Sequence, residues 1–99
     1  MAEAAANAVV DNAARGRFEL AVEGGVAFAE YQRGGGAGRA VRDVYHVETP
    51  PALRGSGVAS KLMEGILAHA RAEDFRIIPT CSYAAAWFAR RPDARDRLA

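Results

Sequence analysis

The stretch from Arg39 to Pro79 constrains this chain more than any other, because it reads as strand, abrupt turn, helix and strand again. From Arg39 to Thr49 the residues alternate, Val41, Asp43, Tyr45 and Val47 on one face, Ala40, Arg42, Val44, His46 and Glu48 on the other. Polar residues on both faces toward its end are unusual for a simple core strand. Pro50 and Pro51 end it, since neither can donate to a ladder. After Ala52-Leu53-Arg54-Gly55-Ser56-Gly57, the residues Val58, Leu62, Met63, Ile66, Leu67 and Ala70 recur at three- and four-residue steps, the stripe of a one-sided helix. Arg76-Ile77-Ile78-Pro79 then reads as a short buried parallel strand. A strand–helix–strand unit of this kind crosses over right-handed and commits the chain to a sheet with a helix packed on it.

What precedes the unit reads as antiparallel strands. Val9 and Val10 lead into Asp11-Asn12, a turn signal, and Phe18, Leu20 and Val22 then alternate with Arg17, Glu19 and Ala21. Gly24-Gly25 separates that run from Val26–Gln32, which predicts a hairpin. Gly34 to Gly38 reads as a flexible loop between antiparallel neighbours, because no helix pattern follows it. After the crossover, Ser82 stands where it can cap a final helix, Tyr83 to Arg91, which Pro92 stops. Trp87 and Phe88 on it read as packing residues, His69 as a partly buried helix histidine, and Arg90, Arg91, Arg95 and Arg97 as a solvated tail. The predicted order is β-β-β-β-α-β-α. Residues 8–99 form one domain, and residues 1–7, Ala-rich and terminal, read as disordered.

Composition narrows the partners. Thirteen basic residues against twelve acidic ones, a net charge of +1, give no electrostatic case for nucleic acid. All the basic residues but Lys61 are arginine, a bias that with 23 alanines speaks of genome composition more than of function. No apolar run approaches the roughly 20 residues of a membrane span, and Glu3 argues against a signal peptide. The single cysteine, Cys81, excludes an intramolecular disulfide and a cysteine-rich metal site, and fits a reducing cytoplasm. No metal ligands are assigned.

Chemistry concentrates in Arg54-Gly55-Ser56-Gly57-Val58-Ala59, between a strand and a helix. Two glycines let the backbone turn tightly and let an anion approach. The first amides of the helix have no internal partner and, with the helix dipole, favour phosphate. Ser56 can cap the helix, and Lys61 lies in its first turn. The plainer alternative is an ordinary glycine turn with a capped helix. Neither common nucleotide motif fits: no Gly-x4-Gly-Lys-Ser/Thr string exists, and Ser60 occupies the third glycine position of the dinucleotide fingerprint.

Arg54-x-x-Gly57-x-Ala59 resembles the Gln/Arg-x-x-Gly-x-Gly/Ala signature of the GNAT acyltransferases, whose backbone amides hold the pyrophosphate of acetyl-coenzyme A. Three segments in order sharpen this: His46-Val47-Glu48-Thr49-Pro50-Pro51, Leu53-Arg54-Gly55-Ser56-Gly57 and Pro79-Thr80-Cys81-Ser82-Tyr83. They are similar to the small single-domain N-acetyltransferase-like members of that superfamily, and the likeness extends from about Val9 to Arg97. Val47 and Thr49 stand in exchanged order relative to the usual His-Thr-Glu-Val. The resemblance implies an α+β, three-layer GNAT-like fold with a mixed, mostly antiparallel sheet, a β-α-β crossover and a C-terminal helix. It also implies that the strand ending at Thr49 diverges from the strand at Arg76–Pro79, with pantetheine in the gap and the acetyl carbonyl at strand amides near Val47, Glu48 and Thr49. Arg54, Gly55, Ser56, Gly57, Val58, Ala59 and Ser60 would hold the rest of acetyl-coenzyme A.

Acetyl transfer to an amine needs a proton acceptor, a polarised carbonyl and a proton for the leaving thiolate. Cys81 is a candidate acyl acceptor, against the alternative of a small buried thiol. Glu48 and His46 are candidate bases, against strand-end residues bonded to backbone or arginine. Tyr83 is a candidate acid, against a packing tyrosine. Two functions follow from different classes: an N-acetyltransferase acting on an unidentified amine, small molecule or peptide, and a non-catalytic coenzyme A-binding module. Either is expected to act as a monomer or weak homodimer.

Overall fold

In the computed structural model, residues 7–34 and 40–99 are described. Of the anticipated loop from Gly34 to Gly38 only Gly34 is described, and it ends a strand rather than opening a loop; of the anticipated disorder of residues 1–7 only Asn7 is described, and the rest of both lies outside the described residues. Five strands form one sheet in chain order: β1 (Val10–Asn12), β2 (Arg17–Val22), β3 (Gly25–Gly34), β4 (Ala40–Glu48) and β5 (Phe75–Pro79). Each of the first four pairs antiparallel with the next; β5 is parallel to β4 and is reached through helix α1 (Val58–Glu73). Helix α2 (Ser82–Ala89) follows. This is the mixed, mostly antiparallel α+β arrangement with a crossover and a C-terminal helix.

The periodicities explain the packing. Leu62, Met63, Ile66, Leu67 and Ala70 of α1 meet Phe18, Leu20, Ala27, Ala29, Val44, Phe75 and Ile77 of the sheet, and Ala84, Trp87 and Phe88 of α2 join the same cluster. Each large side chain buried there stabilises by about 1.5–3 kcal/mol. On the opposite side of the sheet Val26, Tyr45 and Ile78 stay exposed. Both helices therefore pack against one core on one face of the sheet.

Several local expectations change. Asp11 and Asn12 are not a turn: they belong to β1, and the turn is the short 3-10 segment Ala13–Arg15. Their polarity has partners, since the Tyr31 hydroxyl donates to the Asp11 carboxylate at 2.5 Å and the Asn12 amide donates to Glu19 at 3.2 Å. Burial, reinforced by Asp11, pushes the Tyr31 phenol above its ordinary range. Asn7 is also bonded, its amide to the Gly65 carbonyl at 3.2 Å. Ser82 is the first residue of α2 rather than its cap; Cys81 occupies the cap position without a side-chain bond. The arginine tail is not simply solvated. Arg91 lies over the Trp87 ring, 4.6 Å from its centroid, and pairs with Glu64, while Arg97 is only 14% exposed and donates to Ala70 O at 3.3 Å and Asp74 at 3.1 Å. Their aliphatic stems pack while the charges reach partners.

The most consequential change is in β4. Tyr31 pairs with Val44 but Glu30 pairs with His46, so Tyr45 is the extra residue of a β-bulge. Before it Arg42 and Val44 face the helices, Arg42 with its guanidinium 4.6 Å from the Phe75 ring centroid. After it Val47, opposite buried Ala29, takes the inner side. His46 and Glu48 therefore do not share the Val44 face, as simple alternation predicts; they point away from the helices.

Gly65 sits in the middle of α1 where alanine would favour the helix by about 1 kcal/mol. A Cβ there would fall 2.2 Å from Val9 Cγ2 and 2.7 Å from Asn7 Oδ1, so the glycine admits the strap Asn7–Val9, which His69 also holds by donating from Nε2 to the Val9 carbonyl at 2.6 Å. Gly65→Ala is expected to destabilise by about 1–3 kcal/mol through overpacking, and Val9→Ala in the same chain to return part of that loss. Urea denaturation checks this; a Gly65→Ala protein more stable than the parent would show that the strap yields freely.

Candidate functional site

The site begins where two strands part. β4 and β5 pair only from Ala40–Phe75 to Val44–Pro79. At that vertex the Cys81 amide donates to the Val44 carbonyl at 2.9 Å, and the Thr80 hydroxyl donates to Asp43 at 2.5 Å. Gln32 also donates to Asp43, and these two bonds hold its carboxyl below the usual carboxylate range. Beyond the vertex the chain turns into α2, while β4 runs on to Glu48 bonded to β3 alone. The outward peptide groups of its last residues have no strand beside them among the described residues.

This divergence opens a cleft of about 530 Å³. One wall is His46, Val47, Glu48 and Thr49; the other is Arg54, Gly55, Gly57, Val58, Ala59 and Ser60, with Leu53 and Tyr83 completing it. Gly57 caps α1 with φ 90°, and Gly55 has φ 82°, conformations that side-chain-bearing residues rarely adopt. A Cβ at either would meet nothing within 4 Å, so the space before the helix is open. The amides of Val58, Ala59 and Ser60 come before the first intrahelical donor, Lys61, whose N–H reaches the Gly57 carbonyl at 3.1 Å. Three free amides at the positive end of a helix dipole can bind an anion.

The sequence-predicted residues divide clearly. His46 and Glu48 come together, Nε2 donating to Oε1 at 2.8 Å, each about half exposed. Tyr83 reaches the cleft from the first turn of α2. Thr49 lies just past the end of β4, and Val47 packs against the core. Ser56 does not cap α1 and does not line the cleft; its hydroxyl and its amide both donate to Leu53 O. Lys61 lines a different groove, beside Leu20 and Val22. Cys81 is half-buried against the core and is not part of the cleft wall. Leu53 is the one lining residue not anticipated, although an apolar residue just before the glycine turn is a fair signal. Among the described residues no group of three or more His, Cys, Asp or Glu can hold a metal ion. None of the helices described is long and apolar enough to cross a membrane.

Comparison with protein families gives a match over residues 17–97 to the family described as GCN5-related N-acetyl-transferase. The matched span takes in both walls of the cleft and every strand but β1.

One contact fastens the cleft floor to the core. The buried Trp87 donates from Nε1 to Ser60 Oγ at 3.0 Å, tying α2 to the first turn of α1. Ser60→Ala leaves that N–H without a partner and is expected to cost about 1–3 kcal/mol. Chemical denaturation followed by the fluorescence of Trp87, the chain's only tryptophan, measures it; an unchanged midpoint and emission maximum would mean that the bond contributes nothing.

Proposed function

The chain belongs to the GCN5-related N-acetyltransferase family, and from that premise we propose that it transfers an acetyl group from acetyl-coenzyme A to an amine. The observation that carries the reading is the pairing, in one cleft, of three free helix amides on one wall with the His46–Glu48 pair on the other. The residues present fit this cosubstrate. The open space before Gly55 and Gly57 leaves room for a pyrophosphate against the amides of Val58, Ala59 and Ser60, and Arg54 stands beside it. The unpaired edge at Val47, Glu48 and Thr49 offers backbone groups for pantetheine and for the acetyl carbonyl.

Bound acetyl-coenzyme A supplies an acetyl group already activated as a thioester. Glu48, hydrogen-bonded to His46, accepts the proton that the amine nitrogen releases as its N–C bond forms. Tyr83 delivers a proton to the sulfur as the C–S bond breaks, and is returned to the neutral phenol by solvent. The cleft wall excludes the Cys81 side chain, which favours direct attack over an acyl-cysteine. A single free thiol also suits the reducing cytoplasm in which we place the reaction.

Calorimetry with acetyl-coenzyme A is the first test, followed by turnover with a panel of small amines and peptides. Saturable binding with acetylated product is expected; no binding at millimolar ligand would overturn the reading, and binding without turnover would make the protein a coenzyme A-binding module. Glu48→Gln is expected to lower kcat by about 10²–10⁴ while leaving acetyl-coenzyme A affinity nearly unchanged. Cys81→Ala is expected to keep kcat within about twofold of the parent; a loss of activity with binding retained would restore the covalent route.

A further inference from the structure

The helix-free face of the sheet carries a row of side chains that the reaction above does not use. It starts in β1, where Asn12 donates to Glu19 at 3.2 Å. Glu19 also accepts from Arg17 Nε at 2.6 Å, and that bond holds its carboxyl below the usual range. The Arg17 guanidinium in turn lies over the ring of Phe28, 4.3 Å from its centroid. Phe28 also neighbours the His46 imidazole, with ring centroids 6.2 Å apart and planes tilted by 56°. The strand register agrees: Phe28 faces Glu48 across β3 and β4, and Glu30 faces both His46 and Arg17. The row thus runs from the edge of the sheet to the wall of the cleft.

On that side of β3 Phe28 is the one aromatic ring, between exposed Val26 and the polar Glu30 and Gln32. The His46 side chain is about half exposed, and an imidazole on an open strand surface samples several rotamers. A ring next to the imidazole, itself in contact with a guanidinium, shields part of the imidazole from water and leaves fewer orientations to it. We infer that Phe28 is a positioning residue for the His46–Glu48 pair, holding the imidazole where Nε2 meets Glu48 at the mouth of the cleft. The inference rests on the reading that this pair takes the proton of the acceptor amine. The charged or titratable groups around His46 are Glu48, bonded to it, and Glu30, opposite it on β3; Arg54 and Tyr83 line the same cleft, and Arg17 reaches His46 only through Phe28.

The test compares the full chain with Phe28→Leu, Phe28→Tyr and Arg17→Met. Three readouts are used: acetyl-coenzyme A affinity by calorimetry, kcat and KM for the best amine of the panel, and the His46 ring signals in ¹H–¹⁵N spectra. Phe28→Leu is expected to lower kcat about tenfold with the acetyl-coenzyme A Kd within about twofold, to shift the His46 signals, and to be largely rescued by Phe28→Tyr. Arg17→Met leaves the ring but removes its clamp, and is expected to lower kcat about threefold. A Phe28→Leu kcat equal to the parent's, a loss of kcat matched by a loss of acetyl-coenzyme A affinity, or no rescue by Phe28→Tyr would overturn the role. Should Phe28→Leu not fold, an unchanged kcat and unmoved His46 signals in Arg17→Met overturn it equally. A parent chain that acetylates no amine removes the proposed reaction and this inference together, whereas an active parent with an unaffected Phe28→Leu removes only the inference.

Discussion

Between the Tyr31–Val44 pair and the Glu30–His46 pair, β4 carries one residue more than β3, and the position of the site follows from that surplus. In an unbroken ladder side chains alternate with period two, so a strand that points Val44 at the helices would point His46 and Glu48 there as well. A carboxylate under α1 would have to be desolvated, at a cost of several kcal/mol. The bulge at Tyr45 shifts the phase, gives Val47 the inner side and turns His46 and Glu48 outward. It also falls one residue after Val44, where the parallel ladder with β5 stops. Added twist at a bulge and loss of a neighbouring strand therefore coincide, and the cleft opens at that point.

What keeps the opening in shape is mostly uncharged. The Cys81–Val44 backbone bond closes the vertex, and the Trp87–Ser60 bond fixes α2 to the start of α1 over a shared apolar cluster. The ion pairs nearby, such as Arg91 with Glu64 and Asp93, lie at the surface and contribute at most about 1 kcal/mol each. The Arg91 guanidinium over the Trp87 ring matters more, because it covers one face of a large aromatic side chain.

The elements were legible wherever periodicity carried them. The stripe from Val58 to Ala70 marks α1, the alternation of Phe18, Leu20 and Val22 marks β2, and the prolines with the glycine turn mark the wall of the cleft. The bulge was not legible, because Val-Tyr-His-Val continues a plausible alternation and only the partner strand reveals the extra residue. β1 was obscured for a related reason: Asp11 and Asn12 look like turn residues until Tyr31 and Glu19 are seen to hydrogen-bond them. Cys81 and Ser56 drew attention by residue type and neighbourhood, yet direction decides what a side chain can reach, and direction at a strand end or a tight turn is set by the fold. Phe28 left no trace, because Val26 and Phe28 share a phase with Glu30 and Gln32 and nothing in that alternation singles out the ring.

Strand order in the sheet is the same as strand order in the chain, with each strand lying against the one made just before it. Loop closures in the first four strands are therefore short, and such local pairings form early and with little entropic penalty. β5 and α2 join only after the long excursion through α1. During synthesis the antiparallel meander can assemble as it emerges, and the crevice between β4 and the following helices is finished only when the last third of the polypeptide docks. A chain halted before that stage would hold most of its hydrogen-bonded sheet and still have no place for a ligand.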